Sequence, residues 1–234
     1  MTTTAAGKII RVWDLPTRLF HWLLAASIAA AWLTGETGGT WLIWHGRLGF
    51  LIVGLVAFRL VWGFVGSTYA RFTAFFPTPA KIKAYLAGAW NGIGHNPLGA
   101  LSVFGLLALV VFQIATGLCA YNDDIGFEGP FHPLVGAAAG KTATWLHHKA
   151  FKVLMILAGL HVAAIAFYAR VKKDNLLVPM LTGDKAVVQG ESARGGGTAA
   201  FLVALVIALA VVYGASGAWI AQPPPPPPAA APAW

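Results

Sequence analysis

The sequence has few charged residues for its length. Charged side chains make up 10% of its 234 residues, whereas hydrophobic residues make up 58%. A soluble domain carries about 25% charged residues, because its surface must be hydrated. The composition therefore excludes a water-soluble enzyme, and the high apolar content also excludes a largely disordered chain. Apolar stretches that cross a lipid bilayer account for both features.

Cysteine is almost absent. Cys119 is the only one, which excludes an intramolecular disulfide. A single thiol also excludes a four-cysteine zinc site, an iron–sulfur cluster and a Cys-x-x-Cys-His haem attachment. The seven histidines are therefore the main candidates for metal ligands.

Five stretches of the sequence predict membrane-spanning helices, each close to the ~20 residues that a span requires. They are residues 17–34, 45–66, 97–121, 144–169 and 198–220. The first has basic residues before an apolar run, as a signal peptide does. However, His21 and Trp22 open the run and a long mixed stretch precedes it, so we interpret it as a span.

The predicted fold class is an all-α integral membrane protein. Residues 1–185 are expected to form a four-helix transmembrane bundle, and residues 195–221 a fifth transmembrane helix. Residues 222–234 form a proline-rich tail for which we expect an extended polyproline II conformation. The chain shows no internal repeat or interrupted span typical of a transporter.

The basic residues predict the orientation in the membrane. With the N-terminus inside, most lysines and arginines fall in cytoplasmic loops, and the acidic cluster of Asp123, Asp124 and Glu128 falls outside. This bias follows the positive-inside rule and explains the formal net charge of +8 without a nucleic-acid partner. We therefore expect a bacterial inner-membrane protein with a cytoplasmic N-terminus and, after five spans, a periplasmic C-terminus.

Four histidines sort into two pairs by depth. His147 and His161 are 14 residues apart on one predicted helix, which places them within ~40° of each other and ~21 Å apart along the axis. His21 begins the first span on the cytoplasmic side, level with His161. His45 begins the second span on the outer side, level with His147.

Two imidazoles at one depth on facing helices can ligate a haem iron from both sides. A zinc site would need three or four ligands at one depth. A lone histidine in a membrane helix is more often a packing residue that makes hydrogen bonds, but four in two matched pairs favour ligands. We predict a haem-binding bundle with two b haems, held by His21 with His161 and by His45 with His147, that transfers electrons across the membrane.

Several stretches resemble the prokaryotic cytochrome b561 family, which is related to the b-type cytochrome subunits of nickel–iron hydrogenases and formate dehydrogenases. These stretches are RVWDLPTRLFHW (11–22), GHNPLG (94–99), TGL (116–118), DDI (123–125), LHH (146–148) and GLHVAA (159–164). The resemblance covers about residues 8–185. It implies two b haems in four helices, with ligands matching His21, His45, His147 and His161. The fifth helix and the tail depart from the family pattern.

Arg59, His148 and His95 each have two interpretations. Arg59, 14 residues after His45, either pairs with a haem propionate or extends to the cytoplasmic interface. His148 is turned ~140° from His161 and is expected to make interfacial hydrogen bonds, with a ligand role as the alternative. His95 is expected to be a solvated residue before the third span, with a proton acceptor for quinol as the alternative. His132 is expected to have no cofactor role.

The predicted function is electron transfer between membrane quinone and a protein redox partner, such as a periplasmic c-type cytochrome. Two alternatives remain open. One is a membrane-anchor cytochrome b subunit of a larger dehydrogenase or hydrogenase. The other is a quinol-dependent superoxide oxidase, which the family resemblance allows. No catalytic triad or general base is evident, so an electron carrier or subunit is favoured over a stand-alone enzyme.

Overall fold

A computed structural model describes residues 8–220. Eight α-helices and four short strands follow one another in this region. The elements are β1 (Lys8–Arg11), α1 (Leu15–Thr37), α2 (Leu42–Val65), α3 (Phe72–Phe75), α4 (Pro79–Leu86), α5 (Pro97–Leu118), β2 (Tyr121–Asn122), β3 (Phe127–Glu128), α6 (His132–Phe167), α7 (Leu177–Thr182), β4 (Asp184–Val187) and α8 (Gly197–Ala215). The proline-rich tail lies outside the described residues.

Within residues 8–220, four helical segments are long and apolar enough to cross a membrane. They are Gly39–Val65, Pro97–Leu118, His132–Lys172 and Gly197–Ala215. The predicted all-α membrane fold is therefore confirmed. Helix α1 is 23 residues long, but His21, Trp22 and Ser27 lower its hydropathy and it is not among the four. The predicted first span, at residues 17–34, and with it the total of five spans, thus stays a prediction.

Helix α6 begins twelve residues before the predicted start of the fourth span. It runs from His132, and its only interruption is Gly136, whose φ of 76° is left-handed. The predicted start at residue 144 therefore lies inside α6. The earlier turns carry Lys141 and belong to an extension of the helix beyond the apolar segment.

Polar side chains fix where two of the bundle helices begin. The Asp14 carboxylate accepts a hydrogen bond from the Thr17 backbone N–H at 2.7 Å, and Pro16 lies in the first turn of α1. In the same way, the Asn96 side chain accepts from the Gly99 N–H at 2.7 Å, and Pro97 opens α5. Such caps satisfy backbone donors that a helix start leaves free.

The centre of the bundle is an apolar layer formed by α1, α2, α5 and α6. Its buried members are Ala31, Ile52, Val56, Val110 and Leu154. Ile52 and Leu154 each lie seven residues after a predicted outer ligand and seven before Arg59 or His161. The layer therefore separates the two histidine levels.

Helix α8 packs along α2 at the side of this bundle. Ala204 and Ala208 are buried in the contact, and Phe201 meets the rings of Phe58 and Trp62. Small residues let the two backbones approach closely, as is common between membrane helices.

A small cap closes the end of the bundle at which α1 begins. Strand β1 pairs antiparallel with β4, with Ile10 opposite Lys185. The Gly183 carbonyl accepts from the backbone N–H groups of Val12 and Trp13 at 2.8 and 3.0 Å. The sequence pattern does not predict this sheet. It joins the segment before α1 to the segment after α7.

Candidate functional site

The structure brings His45 and His147 together at one end of the bundle. His45 lies in the first turn of α2 and His147 lies near the middle of α6, and their ring centroids are 6.1 Å apart. The ring of Phe127, from the β2–β3 hairpin, stands edge-on to His45 at 6.4 Å. We call His45 and His147 the outer pair.

The Nδ1 atom of His45 faces a backbone carbonyl. It lies 2.8 Å from the Ala31 oxygen, and a carbonyl can only accept, so Nδ1 carries the proton. Gly35, one turn further along α1, leaves room for the ring, since an added Cβ would lie 2.9 Å from Nδ1. Nε2 therefore keeps its lone pair, the arrangement typical of a metal-ligating histidine.

His147 is held in the same way by α5. Its Nδ1 donates to the Gln113 carbonyl at 3.0 Å, and the Gln113 side-chain amide donates to the His147 carbonyl at 3.0 Å. Gly117 again makes room, because an added Cβ would lie 3.1 Å from the ring. The Nε2 atom of His147 is thus also left as an acceptor.

His21 and His161 meet at the other end of the bundle, and we call them the inner pair. Their ring centroids are 6.4 Å apart. Ser102 Oγ lies 3.4 Å from His161 Nδ1. His21 Nδ1 is buried and makes no hydrogen bond with any residue from 8 to 220. The two pairs are those that helical spacing predicts.

The spacing within each pair fits one metal ion bound from both sides. An imidazole nitrogen lies about 2.0 Å from a first-row metal that it ligates, so two rings on opposite sides of one ion have centroids about 6 Å apart. Both pairs have this separation. In the described part of the chain, no group of three or more His, Cys, Asp or Glu side chains forms a metal site.

A cavity of about 430 Å³ surrounds the outer pair. It is lined by α1, α2, α5, α6 and the β2–β3 hairpin, and its size is typical of cofactor sites, which span roughly 300–1,000 Å³. Gly46 and Gly49 line its wall, and an added Cβ on either would meet no atom within 4 Å. A flat macrocycle therefore fits against this glycine face of α2.

Arg59 lies at the inner level and is only 3% exposed. Its guanidinium stands 4.6 Å from the Phe72 ring, and its Nη1 has no hydrogen-bond partner among the described residues. Asp14, the N-cap of α1, lies close enough to interact with the charge of Arg59, so both interpretations of Arg59 stay predictions. A buried guanidinium needs an anion nearby.

His95 is packed between aromatic rings and is not the solvated residue that the sequence analysis expected. Its ring centroid lies 4.6 Å from that of Trp13 and 4.5 Å from that of Phe75. It lines a second cavity of about 290 Å³, together with Tyr69, Lys81 and others. Burial, followed by the charge of Arg59, lowers the pKa of His95 to about 3.

The other histidines occupy the outer end. His148 is exposed at the surface of α6 but also borders the outer cavity. His132 stacks on Tyr121, with ring centroids 4.1 Å apart, and its Nδ1 lies 3.7 Å from a Glu128 carboxylate oxygen. In the acidic loop, Lys141 donates to Asp123 at 2.9 Å, which lowers the pKa of that carboxyl.

Two residues that contact the outer pair were not predicted from the sequence. Gln113 holds His147, and Phe127 contacts His45. Gln113 carried a usable signal, because it is the only Gln, Asn, Asp, Glu, Lys or Arg in residues 97–121. Phe127 reaches the site through a two-residue strand that no periodicity marks.

Paired imidazoles inside a bundle of apolar helices define the class: a multi-pass membrane protein of the cytochrome b type. The chain belongs to the prokaryotic cytochrome b561 family, whose family model matches residues 12–183. The expected family resemblance is thus confirmed. Membership identifies a membrane cytochrome that carries b-type haem and transfers electrons.

Three relatives share the name "probable Ni/Fe-hydrogenase B-type cytochrome subunit". The one from Azotobacter chroococcum mcd 1 is 28% identical over 213 residues, covering 74% of this chain and 87% of the relative. The one from Bradyrhizobium diazoefficiens is 24% identical over 218 residues, covering 77% and 88%. An Escherichia coli K12 relative, numbered as subunit of hydrogenase 1, is 27% identical over 143 residues, covering 48% and 60%. No solved structure matches the chain.

Proposed function

We propose that this protein transfers electrons across the bacterial inner membrane through two b haems. His21 and His161 hold one near the cytoplasmic side, and His45 and His147 hold the other near the periplasmic side. The observation that carries the proposal is the presence of two imidazole pairs, each with centroids 6.1–6.4 Å apart. When bound, each haem supplies a one-electron iron couple with both axial positions filled.

The side chains of the bundle hold the imidazoles in the required state. The carbonyls of Ala31 and Gln113 keep the protons of His45 and His147 on Nδ1. The apolar layer between the pairs keeps water and ions out of the space between the two levels. Electrons can cross this layer by tunnelling, whereas protons cannot follow without polar groups.

Arg59 is proposed to neutralise a propionate of the inner haem. The proposal is supported by its burial and by the lack of a hydrogen-bond partner for Nη1 among residues 8–220. A charge-assisted hydrogen bond to a carboxylate would satisfy that atom. An Arg59 paired in this way also supplies positive charge beside the inner iron.

A quinone is proposed to exchange electrons and protons at the inner side. The 290 Å³ cavity supports this, since its wall combines the rings of Phe75 and Trp90 with His95. In addition to burial, the charges of Arg59, His161 and His21 lower the pKa of His95, which supports a site close to the inner pair. Quinol-driven haem reduction should slow in Arg59→Leu and His95→Ala variants that retain haem. Unchanged rates in both would reject this location.

The protein partner is proposed to be a larger oxidoreductase, for which this chain is the membrane anchor. The names of the relatives favour a hydrogenase or a similar dehydrogenase over a free c-type cytochrome. Residues after 183, including α8, lie outside the family match and form a side surface for such a partner. Purification from native membranes should recover a large metal-containing subunit, and purification of this chain alone would favour a soluble carrier.

The decisive experiment is a reduced-minus-oxidised absorption spectrum of the purified protein with a haem-to-protein ratio. Two b haems per chain are expected. A ratio of one, or the absence of a b-type spectrum, would reject the two-haem proposal.

A reporter fused after Trp234 tests the proposed orientation. If the C-terminus is periplasmic, a reporter that folds only in the cytoplasm should be inactive there.

A further inference from the structure

Gln113 binds His147 through both its backbone and its side chain. The backbone carbonyl of Gln113 accepts from His147 Nδ1, and the side-chain Nε2 donates to the His147 carbonyl, each at 3.0 Å. Thr116 Oγ1 donates to the same Gln113 carbonyl at 3.0 Å. One turn of α5 therefore fixes the ring of His147.

The oxygen of the Gln113 side chain has no such partner. Oε1 is buried and accepts no hydrogen bond from the part of the chain that the structure describes. Its amide is anchored at the nitrogen beside His147, and Gln113 lines the outer cavity. The unpartnered oxygen thus belongs to a side chain that lines the outer cavity, and a buried acceptor without a donor is unfavourable.

An unpaired carbonyl oxygen acts on the charge of a nearby metal centre. A bis-histidine haem core carries one more positive charge in its oxidised than in its reduced form. The negative end of a dipole stabilises that charge, and it does so more strongly in a site of low dielectric constant. The cost of burying the oxygen is then offset when the site holds an oxidised iron.

We propose that Gln113 is a positioning residue that also lowers the reduction potential of the outer haem. Its N–H group holds His147 in register, and its oxygen favours the oxidised state. This inference rests on the proposed ligation of a haem by His45 and His147. Among residues 8–220, no side-chain amide makes a hydrogen bond with His21 or His161, and Ser102 Oγ lies 3.4 Å from His161 Nδ1.

The test is a redox titration of wild type and Gln113→Leu with the haem count of each. Leucine keeps the approximate volume of the side chain and removes both polar atoms. The outer potential should rise and the inner potential should stay unchanged. The single potential that remains in a His147→Ala variant assigns the inner haem.

Ile114→Leu is the matched control, since Ile114 lines the same cavity and the change alters no polar group. Both of its potentials should equal those of wild type. If Gln113→Leu loses the outer haem, Gln113→Met decides, because its unbranched side chain keeps the length of glutamine and lacks the amide oxygen, so the outer potential should again rise.

Two outcomes separate the inference from the proposed function. Two bound haems with an unchanged or lower outer potential in Gln113→Leu, or in Gln113→Met where that variant decides, would overturn the role of Gln113 alone. A wild-type protein without a haem at the outer pair would overturn the proposed ligation itself, and the inference with it.

Discussion

Replacing Gly35 with alanine places a methyl group against the imidazole of His45. The new Cβ would lie 2.9 Å from Nδ1 and 3.2 Å from Cε1, whereas ordinary contacts begin at 3.4 Å. The ring must therefore retreat by about 0.5 Å, which strains the 2.8 Å hydrogen bond from Nδ1 to the Ala31 carbonyl. Overpacking of this kind costs about 1–3 kcal/mol, and the lost hydrogen bond costs about 1 kcal/mol.

The gain from replacing glycine in a helix offsets up to about 1 kcal/mol of this cost. The net loss of ~1–3 kcal/mol corresponds to about 5- to 150-fold weaker haem binding at the outer pair. Haem titration of the purified apoprotein, followed by absorption, measures the change. Gly105→Ala in α5 is the control, because its Cβ would meet no atom within 4 Å. Equal haem affinity in the two variants would refute the reasoning.

His147→Ala should lose about one haem and His148→Ala should keep both, as counted by absorption per mole of protein; the reverse pattern would reassign the outer ligand. Arg59→Met removes a buried positive charge, so it should lower the midpoint potential of the inner haem or release that haem. A redox titration in which both haems keep their potentials would contradict the propionate pairing. Burial, with the charges of Arg59, His161 and His21, lowers the pKa of His95 to about 3; since the unfolded value is about 6.5, the unfolded state binds the extra proton between these values. Stability in detergent should therefore fall as the pH drops below about 6.5, by at most about 1.4 kcal/mol per pH unit from this group. Thermal unfolding at pH 7 and pH 5 should show a smaller difference in His95→Phe, and an equal difference in the variant would exclude His95 as the cause.

Much of the bundle could be predicted because apolar runs and helical spacing are strong signals. The predicted starts of the second, third and fifth spans lie within three residues of α2, α5 and α8. The interval of 14 residues between His147 and His161 was sufficient to place each beside a partner. The position of a residue along a helix axis and its angle around that axis depend on one helix only, so the sequence alone can predict them.

The remaining features depend on contacts between distant segments. The β1–β4 sheet is four residues long on each strand, and the sequence Lys8-Ile-Ile-Arg11 does not alternate. The solvated environment expected for His95 was wrong, because Trp13 and Phe75 arrive from two other parts of the chain to cover it. The role of Gln113 likewise depends on which turn of α6 lies opposite.

The pairing of β1 with β4 also sets an order on the biosynthesis of the protein. Strand β1 leaves the ribosome more than 170 residues before its partner, as the Arg11–Asp184 contact shows. Until then, the start of α1 and its His21 have no cap over them. Once His161 has been made, the inner histidine pair therefore stays uncapped until residues 183–187 follow. A cofactor that enters at this end of the bundle would have that interval to do so before the cap closes.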